Sequence, residues 1–165
     1  MYKIIVIGPE SSGKTTLCSD IAKHFNVKCS KEYARKYLTE LNKAYNQKDL
    51  LKIAKEQLKS EEKISLMDTD LITIKIWSNY KYGNCDNWIL NQIKLQKKEN
   101  RFYLLCKPDL KWVADPLREN PLNRMYIFNI YLKEIATLGH DYYVVEGTNR
   151  FKNSVAKILE KKVVF

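Results

Sequence analysis

The chain has 165 residues, of which 45% are hydrophobic and 29% charged, and this composition excludes a disordered or low-complexity chain. Its formal net charge of +10, from 29 Lys and Arg against 19 Asp and Glu, favours anionic ligands such as nucleotides. Because the lysines are spread along the whole chain, we interpret them as a solvated surface and expect no nucleic-acid partner.

Targeting segments and cysteine pairs are not indicated. No window approaches the roughly 18 consecutive apolar residues of a membrane span, and the N-terminal apolar run is too short for a signal peptide. The cysteines form no C-x-x-C pair, so we predict neither a disulfide framework nor a zinc site and expect a reducing, cytoplasmic setting. They are Cys18, Cys29, Cys85 and Cys106. The length is typical of one domain, and we predict a single domain over 1–165.

The hydrophobic pattern alternates between short apolar runs and segments with helical periodicity. Strands are predicted at 2–7, 27–30, 64–68, 102–106 and 142–146. Helices are predicted at 14–25, 32–41, 47–62, 70–80, 86–98, 123–138 and 149–162. Because parallel strands need crossovers of this length, we predict an α/β fold with a five-stranded parallel sheet between two layers of helices.

Residues 8–15 read Gly-Pro-Glu-Ser-Ser-Gly-Lys-Thr and match the phosphate-binding loop G-x-x-x-x-G-K-[ST], between a predicted strand and a predicted helix. The glycines permit turns that aim successive N–H groups at phosphate, and the following helix adds its positive end. Lys14 supplies an ammonium for the β- and γ-phosphates, and Thr15 supplies a hydroxyl for magnesium. We expect ATP and Mg²⁺ at this loop, contacted by Gly8, Glu10, Ser11, Ser12, Gly13, Lys14, Thr15 and Thr16.

Two aspartates follow the third predicted strand, at the edge where parallel α/β sheets bind ligands. Asp68 ends the strand, the usual position of the acid that holds magnesium directly or through water, and we predict it as a metal ligand. Asp70 lies two residues further on. It either faces the crevice as a functional acid or caps the next helix, and we favour the functional role.

The segment Glu32-Tyr33-Ala34-Arg35 follows the second predicted strand at the same edge. A carboxylate there can accept a hydrogen bond from a substrate hydroxyl, and an arginine three residues later can bind a ribose oxygen or a phosphate. The alternative is a helix cap, but a capping box on Ser30 needs an acid or glutamine at position 33, which is tyrosine. We therefore predict substrate contacts from Glu32, Tyr33 and Arg35.

Residues 110–124 combine prolines with two of the five arginines, Arg118 and Arg124. A kinase closes over its substrate to exclude water and to bring cations to the transferring phosphoryl group. We interpret this segment as an arginine-bearing lid, with surface bridges or helix caps as the alternative for the two arginines. Trp112 within it either stacks a flat heterocycle or belongs to the core. Trp77 has helical spacing with apolar neighbours, which indicates packing.

The last predicted strand is followed by Gly147-Thr148-Asn149-Arg150. In P-loop kinases, the loop at this position commonly holds adenine. We predict that Arg150 contacts the nucleotide there, and a plain turn is the alternative.

Several of these segments together resemble a known family. They are 8–17, 32–35, 67–70 with Thr73, and 112–118 with Arg124, in this order and at this spacing. The pattern resembles the ribosylnicotinamide kinase domain of the bacterial NadR-type proteins over about residues 1–160. The first segment is shared with many ATPases, whereas Trp-Val-Ala-Asp-x-Leu-Arg is the discriminating one.

The resemblance implies a kinase of the thymidylate-kinase kind that uses ATP and Mg²⁺. Its reaction would transfer the γ-phosphoryl group to the 5′-hydroxyl of nicotinamide riboside, giving nicotinamide mononucleotide for NAD synthesis. Arg118 and Arg124 are then expected to close over the transferring group, and Glu32 or Asp70 to orient or deprotonate the hydroxyl. Because full NadR proteins also carry a DNA-binding and an adenylyltransferase domain, which this length does not accommodate, we expect neither of those activities.

The resemblance also makes Trp112 a substrate-side residue that stacks the pyridinium ring, since a cationic ring over an indole face is a favourable pairing. The carboxylates of Asp70 and Asp115 carry a charge that suits such a cationic substrate. We expect a small-molecule nucleoside as the partner and no membrane.

Two alternatives remain. The phosphate loop is blind to the acceptor, so the chain can be a kinase for another nucleoside or a small alcohol. It can also be a regulatory ATPase that binds DNA or a protein, which predicts slow hydrolysis without an acceptor and salt-sensitive DNA binding. The diffuse basic residues and the lack of a DNA-binding motif disfavour this last reading.

Overall fold

The structure, a computed structural model, describes residues 2–163. The strands are β1 (Lys3–Ile7), β2 (Cys29–Ser30), β3 (Leu66–Asp68), β4 (Arg101–Cys106) and β5 (Asp141–Val145). The helices are α1 (Lys14–Phe25), α2 (Tyr33–Glu40), α3 (Gln47–Ser60), α4 (Leu71–Tyr82), α5 (Asn87–Gln96), α6 (Arg124–Leu138) and α7 (Arg150–Glu160). The strands form one parallel sheet in the order β2-β3-β1-β4-β5, which confirms the predicted α/β fold.

The central strand β1 explains the layering. Its side chains alternate between the two faces of the sheet, as the period of a strand requires. Ile4 and Val6 pack against residues of α1 and α7, whereas Ile5 and Ile7 pack against residues of α4 and α6. All four are fully buried, so the strand reads as a continuous apolar run. A third cluster joins α2, α3 and α5 to α4.

The register of β1 and β3 brings two functional segments together. Val6 is paired with Asp68, and the backbone N–H of Thr69 donates to the Val6 carbonyl at 3.0 Å. The two strands therefore end at the same edge, where residues 8–13 turn into α1 and residues 69–70 turn into α4. The segment 107–123 follows β4 to this edge and leads into α6.

The cysteine prediction is wrong for one pair. Cys18 on α1 and Cys29 on β2 form a disulfide, with Cα atoms 6.8 Å apart. Their separation of 11 residues carries no recognisable motif, because the fold brings them together when α1 packs on the sheet next to β2. Cys85 and Cys106 are free thiols.

The strand β2 departs most from its predicted bounds, since it spans two residues rather than 27–30. The preceding segment ends α1 instead: Asn26 adopts a left-handed conformation at φ 52°, and the N–H of Val27 donates to the Ala22 carbonyl at 3.0 Å. Within residues 2–163, no helix combines the length and the apolar character needed to cross a membrane.

Candidate functional site

The loop between β1 and α1 is held by its own polar groups. The Ser12 hydroxyl and the Lys14 ammonium each donate to the Pro9 carbonyl at 2.7 Å. Ser11 and Gly13 have positive φ angles of 53° and 79°, which turn the backbone sharply before the first helical residue. The loop thus has the compact, turned backbone that phosphate-binding loops share.

Gly8 is required by a close approach of two chain segments. A Cβ atom built at this position would lie 2.5 Å from the carbonyl oxygen of Cys106, a distance that side chains do not tolerate. Its φ of 144° is also open only to glycine. The loop therefore lies directly against the end of β4.

Arg124 and Arg150 brace the loop from two sides. Arg150, the first residue of α7, donates to the Ser12 carbonyl at 2.8 Å and to the Lys107 carbonyl at 2.6 Å, and it also pairs with Asp109. Arg124, the first residue of α6, donates to the Ser11 carbonyl at 3.2 Å. Neither arginine lines the adjoining cleft, so their predicted contacts with the nucleotide and the transferring group stay predictions.

Asp68 and Thr15 lie together, as the magnesium prediction requires. Burial raises the pKa of the Asp68 carboxyl, while the neighbouring Thr15 hydroxyl and the positive charges of Lys14 and Arg35 lower it. One oxygen of this carboxylate, Oδ1, is buried and has no hydrogen-bond partner among the described residues. A hard cation prefers such oxygens and commonly takes only one or two carboxylates when phosphates complete its shell. The donor set therefore fits Mg²⁺.

Glu32 is the carboxylate that faces this region without a structural task. It precedes α2, but its side chain makes no capping bond, and the N–H of Tyr33 donates instead to Oε1 of Gln57 at 3.1 Å. Within residues 2–163, the Glu32 carboxylate takes part in no hydrogen bond or ion pair. Burial raises its pKa, the Asp68 charge adds to this, and the Lys14 charge opposes it. Glu32 is therefore an unpaired carboxylate close to the phosphate loop, and its role as a base stays a prediction.

The structure corrects the prediction for Asp70. Its side chain is fully buried and does not line the cleft. One oxygen caps α4 by accepting from the N–H of Ile72 at 3.0 Å. The other accepts from Arg101 at 3.1 Å and from the Tyr103 hydroxyl at 2.8 Å. Both carboxylate oxygens of Asp70 are therefore occupied by bonds within the protein.

The segment 107–123, which we call the lid, is docked on α2 and on the phosphate loop. Asp115 accepts from the N–H of Leu117 and from Arg35, each at 2.9 Å, and these two bonds, the Leu117 bond most, hold its pKa below the ordinary value. Arg118 donates to the Val113 carbonyl inside the lid and lines the cleft. Arg35 and Asp115, which were both predicted to contact the substrate, thus form an ion pair with each other.

Trp112 lies outside the cleft lining, between two cations. The guanidinium carbons of Arg118 and Arg124 lie 5.9 Å and 5.5 Å from the centre of its ring. Cation–π contacts of this kind hold the arginines against the indole face. Stacking of a substrate ring on Trp112 stays a prediction.

A cleft of about 210 Å³ joins the phosphate loop to an aromatic end. Its lining includes several residues that the sequence predicts to belong to the site, among them Glu10, Lys14, Glu32, Arg35 and Arg118. The far end is lined by side chains from α4 and α6 that sequence reasoning did not assign to a site: Thr73, Ile76, Trp77, Tyr80, Ile127 and Tyr131. Their spacing of three or four residues can be read from the sequence, but a helix face that packs on the core has the same spacing.

The loop, the sheet order and the neighbouring acid define a P-loop nucleotide-binding protein. Within that class, the AAA domain family model AAA_28 matches residues 3–152, and the chain belongs to this family. The chain is similar to the "Trifunctional NAD biosynthesis/regulator protein NadR" of Salmonella typhimurium and of Escherichia coli, at 27% identity over 126 residues in each case. The match covers 70% of this chain but 30% of those proteins.

Solved structures support the same fold. A NadR protein in complex with NR superposes with a TM-score of 0.79 at 19% identity, over 99% of this chain and 52% of that one. A deoxyadenosine kinase from M. mycoides with bound dCTP gives a TM-score of 0.63 at 16% identity, over 96% of this chain and 99% of that one. At these identities the likeness establishes the fold, and it agrees with the predicted P-loop kinase architecture.

Proposed function

We propose that the chain is an ATP-dependent kinase that phosphorylates the 5′-hydroxyl of nicotinamide riboside to nicotinamide mononucleotide. The observation that carries the proposal is the placement of Glu32, a carboxylate free of structural bonds, on the same cleft as the phosphate loop. The curated relatives named for NAD biosynthesis, and the structural relative with NR bound, favour this acceptor among nucleosides.

The donor side would work through the loop. The amides of residues 8–13 and the N-terminus of α1 would hold the triphosphate, and Lys14 would exchange its bond with the Pro9 carbonyl for the phosphate oxygens. Arg118 lines the cleft and is placed to approach the transferring group. Thr15 and Asp68 would hold Mg²⁺, which neutralises charge on the phosphates when it is bound.

The acceptor side would work through Glu32. Its carboxylate would accept the hydrogen bond of the 5′-hydroxyl and take the proton as the new P–O bond forms. The raised pKa makes it a better proton acceptor than an exposed glutamate, because a general base works best when its pKa approaches the working pH. The burial of Asp70 and its bonds to Arg101 and Tyr103 favour Glu32 over Asp70, the second candidate that the sequence left open.

The pyridinium ring of the substrate would lie against Trp77 and Tyr80. Both line the aromatic end of the cleft, and a cationic ring gains from contact with an electron-rich face. The two guanidiniums beside Trp112 make its surroundings positive, which disfavours a cationic ring there. We therefore assign the stacking role to the residues of α4 rather than to Trp112.

The proposal is tested by coupled ADP release with nicotinamide riboside, nicotinic acid riboside and deoxyadenosine as separate acceptors. We expect the highest kcat/KM with nicotinamide riboside. A higher value with deoxyadenosine would instead support the fold-level likeness to deoxyadenosine kinase. ADP release that is unaffected by any acceptor would support a regulatory ATPase and contradict a kinase.

A further inference from the structure

Glu119 of the lid is held by the phosphate loop through its backbone. Its N–H donates to both carboxylate oxygens of Glu10 at 3.1 Å, and the N–H of Asn120 donates to Oε2 of Glu10 at 2.9 Å. Glu10 belongs to the loop that would receive the phosphates. A movement of Glu10 would therefore alter the hydrogen bonds that hold the lid at position 119.

The side chain of Glu119 points the other way, to helix α4 and the loop before α3. One carboxylate oxygen accepts from the Tyr45 hydroxyl at 2.9 Å, and the other accepts from the Lys81 ammonium at 2.9 Å. The ammonium also lies 3.8 Å from the centre of the Tyr45 ring. Tyr45 is thus fixed both at its hydroxyl and at its ring face.

Tyr45 in turn holds a residue of the cleft. Its hydroxyl accepts from the indole N–H of Trp77 at 2.7 Å while it donates to Glu119. The rings of Tyr45 and Trp77 pack edge to face with centres 5.0 Å apart. A hydroxyl that accepts one bond and donates another links its two partners in one polarised chain. The orientation of the Trp77 ring therefore depends on the bond between Tyr45 and Glu119.

We propose that Glu119 is a positioning residue that couples the phosphate loop to the acceptor end of the cleft, through Glu10 on one side and through Tyr45 and Trp77 on the other. The inference rests on the proposed kinase function, since it assigns Trp77 to the acceptor ring. It goes beyond that function because it makes acceptor affinity depend on the state of the nucleotide loop.

The contacts that carry this coupling contribute little to global stability. The side chains of Glu119 and Lys81 remain 41% and 34% exposed, and ion pairs at that exposure are strongly screened. The effect of breaking them should therefore appear in the geometry of the cleft rather than in the melting temperature. This separates positioning from a merely structural role.

The test uses Tyr45→Phe and Glu119→Gln, with the exposed Tyr142→Phe and Glu160→Gln as matched controls. In both test variants, acceptor KM should rise about fivefold while kcat and the KM for ATP change less than about twofold. The controls should match the wild type in all three. The double variant should resemble the single variants, because both substitutions break one chain.

The coupling itself is measured by calorimetry of acceptor binding with and without a non-hydrolysable ATP analogue. In the wild type the analogue should raise acceptor affinity about fivefold, and in both test variants this gain should fall below about twofold. An unchanged gain, or fully additive effects in the double variant, would overturn the inference. The acceptor used is the nucleoside with the highest wild-type kcat/KM. If that nucleoside is not nicotinamide riboside, the proposed substrate is wrong, but the coupling is still tested.

Discussion

The carboxylate of Asp70 and the guanidinium of Arg101 form an ion pair from which solvent is fully excluded, with 3.1 Å between Oδ2 and the guanidinium nitrogen. Arg101 also contacts Glu61 at 2.8 Å and Glu99 at 2.9 Å. This cluster anchors the first turn of α4, the helix that carries Thr73 and Trp77 into the cleft. Asp70 therefore supports α4 by its cap and by its ion pair with Arg101.

The Asp70→Ala variant should lose about 3–5 kcal/mol of unfolding free energy, because it removes the fully buried partner of the Arg101 guanidinium, the acceptor of the Tyr103 hydroxyl and the α4 cap, while Glu61 and Glu99 still pair with Arg101. Urea denaturation measures this loss. Asp20→Ala, on the exposed face of α1, is the control and should change stability by less than about 1 kcal/mol. Wild-type stability together with loss of catalytic turnover in Asp70→Ala would indicate that Asp70 acts in the reaction.

The pH dependence of kcat/KM should report Glu32. A general base acts when it is deprotonated, so activity should fall as the pH drops through the pKa of Glu32. Because burial raises that pKa, the acid limb should lie above the ordinary glutamate value of 4.5. Glu32→Gln should lower kcat by about 10²- to 10⁴-fold and remove this limb.

The control for Glu32 is Glu40→Gln, at the exposed end of α2, the helix that Glu32 precedes. Its pH profile should match that of the wild type. An acid limb that persists in Glu32→Gln would assign the titration to another group.

Lys14→Ala should lower kcat at least about 10²- to 10³-fold, because it removes the cation closest to the transferring phosphates. The change should leave the circular dichroism spectrum intact, since the Lys14 ammonium makes one hydrogen bond within residues 2–163, to a carbonyl of its own loop. Lys23→Ala on the exposed face of α1 should keep full turnover. Activity in Lys14→Ala at the wild-type level would remove the basis of the nucleotide assignment.

Asp68→Asn should raise the Mg²⁺ concentration for half-maximal activity at least about tenfold, because an amide is a weaker ligand than a carboxylate. The same shift should appear in Mg²⁺-dependent binding of ATP, which does not require turnover. Asp86→Asn is a suitable control, since asparagine caps α5 as well as aspartate does. An unchanged Mg²⁺ requirement in Asp68→Asn would assign the metal to other groups.

Trp77→Leu should raise the acceptor KM at least about tenfold by removing the aromatic face, whereas Trp112→Leu should change it less than about twofold. Steady-state kinetics at saturating ATP measures both values. Trp77→Phe keeps a ring and should recover part of the loss. The reverse order of effects would restore Trp112 as the stacking residue.

The phosphate loop and the alternation of strands and helices could be predicted because they depend on local patterns. The loop motif carries its own glycines, lysine and hydroxyl in eight consecutive residues, and β1 is apolar throughout. Asp68 was also predictable in position, since the last residue of a strand beside β1 lies at the loop whatever the rest of the chain does.

The roles of Asp70 and Trp77 could not be predicted because they depend on distant partners. The sequence places Asp70 and Glu32 alike, each shortly after a strand. The difference between them comes from Arg101, 31 residues beyond Asp70 and buried at the start of β4. Trp77 looks like a core residue because one side of it does pack in the core, while the cleft opens on the other.

The disulfide between Cys18 and Cys29 limits how far Glu32 can move away from Lys14. It closes a short covalent ring that contains most of α1 and ends at the first residue of the edge strand β2. Glu32 lies three residues after Cys29, and Lys14 lies four residues before Cys18. Even if the two-residue strand β2 detaches from the sheet, the disulfide keeps the Glu32 carboxylate within a few residues' reach of the Lys14 ammonium.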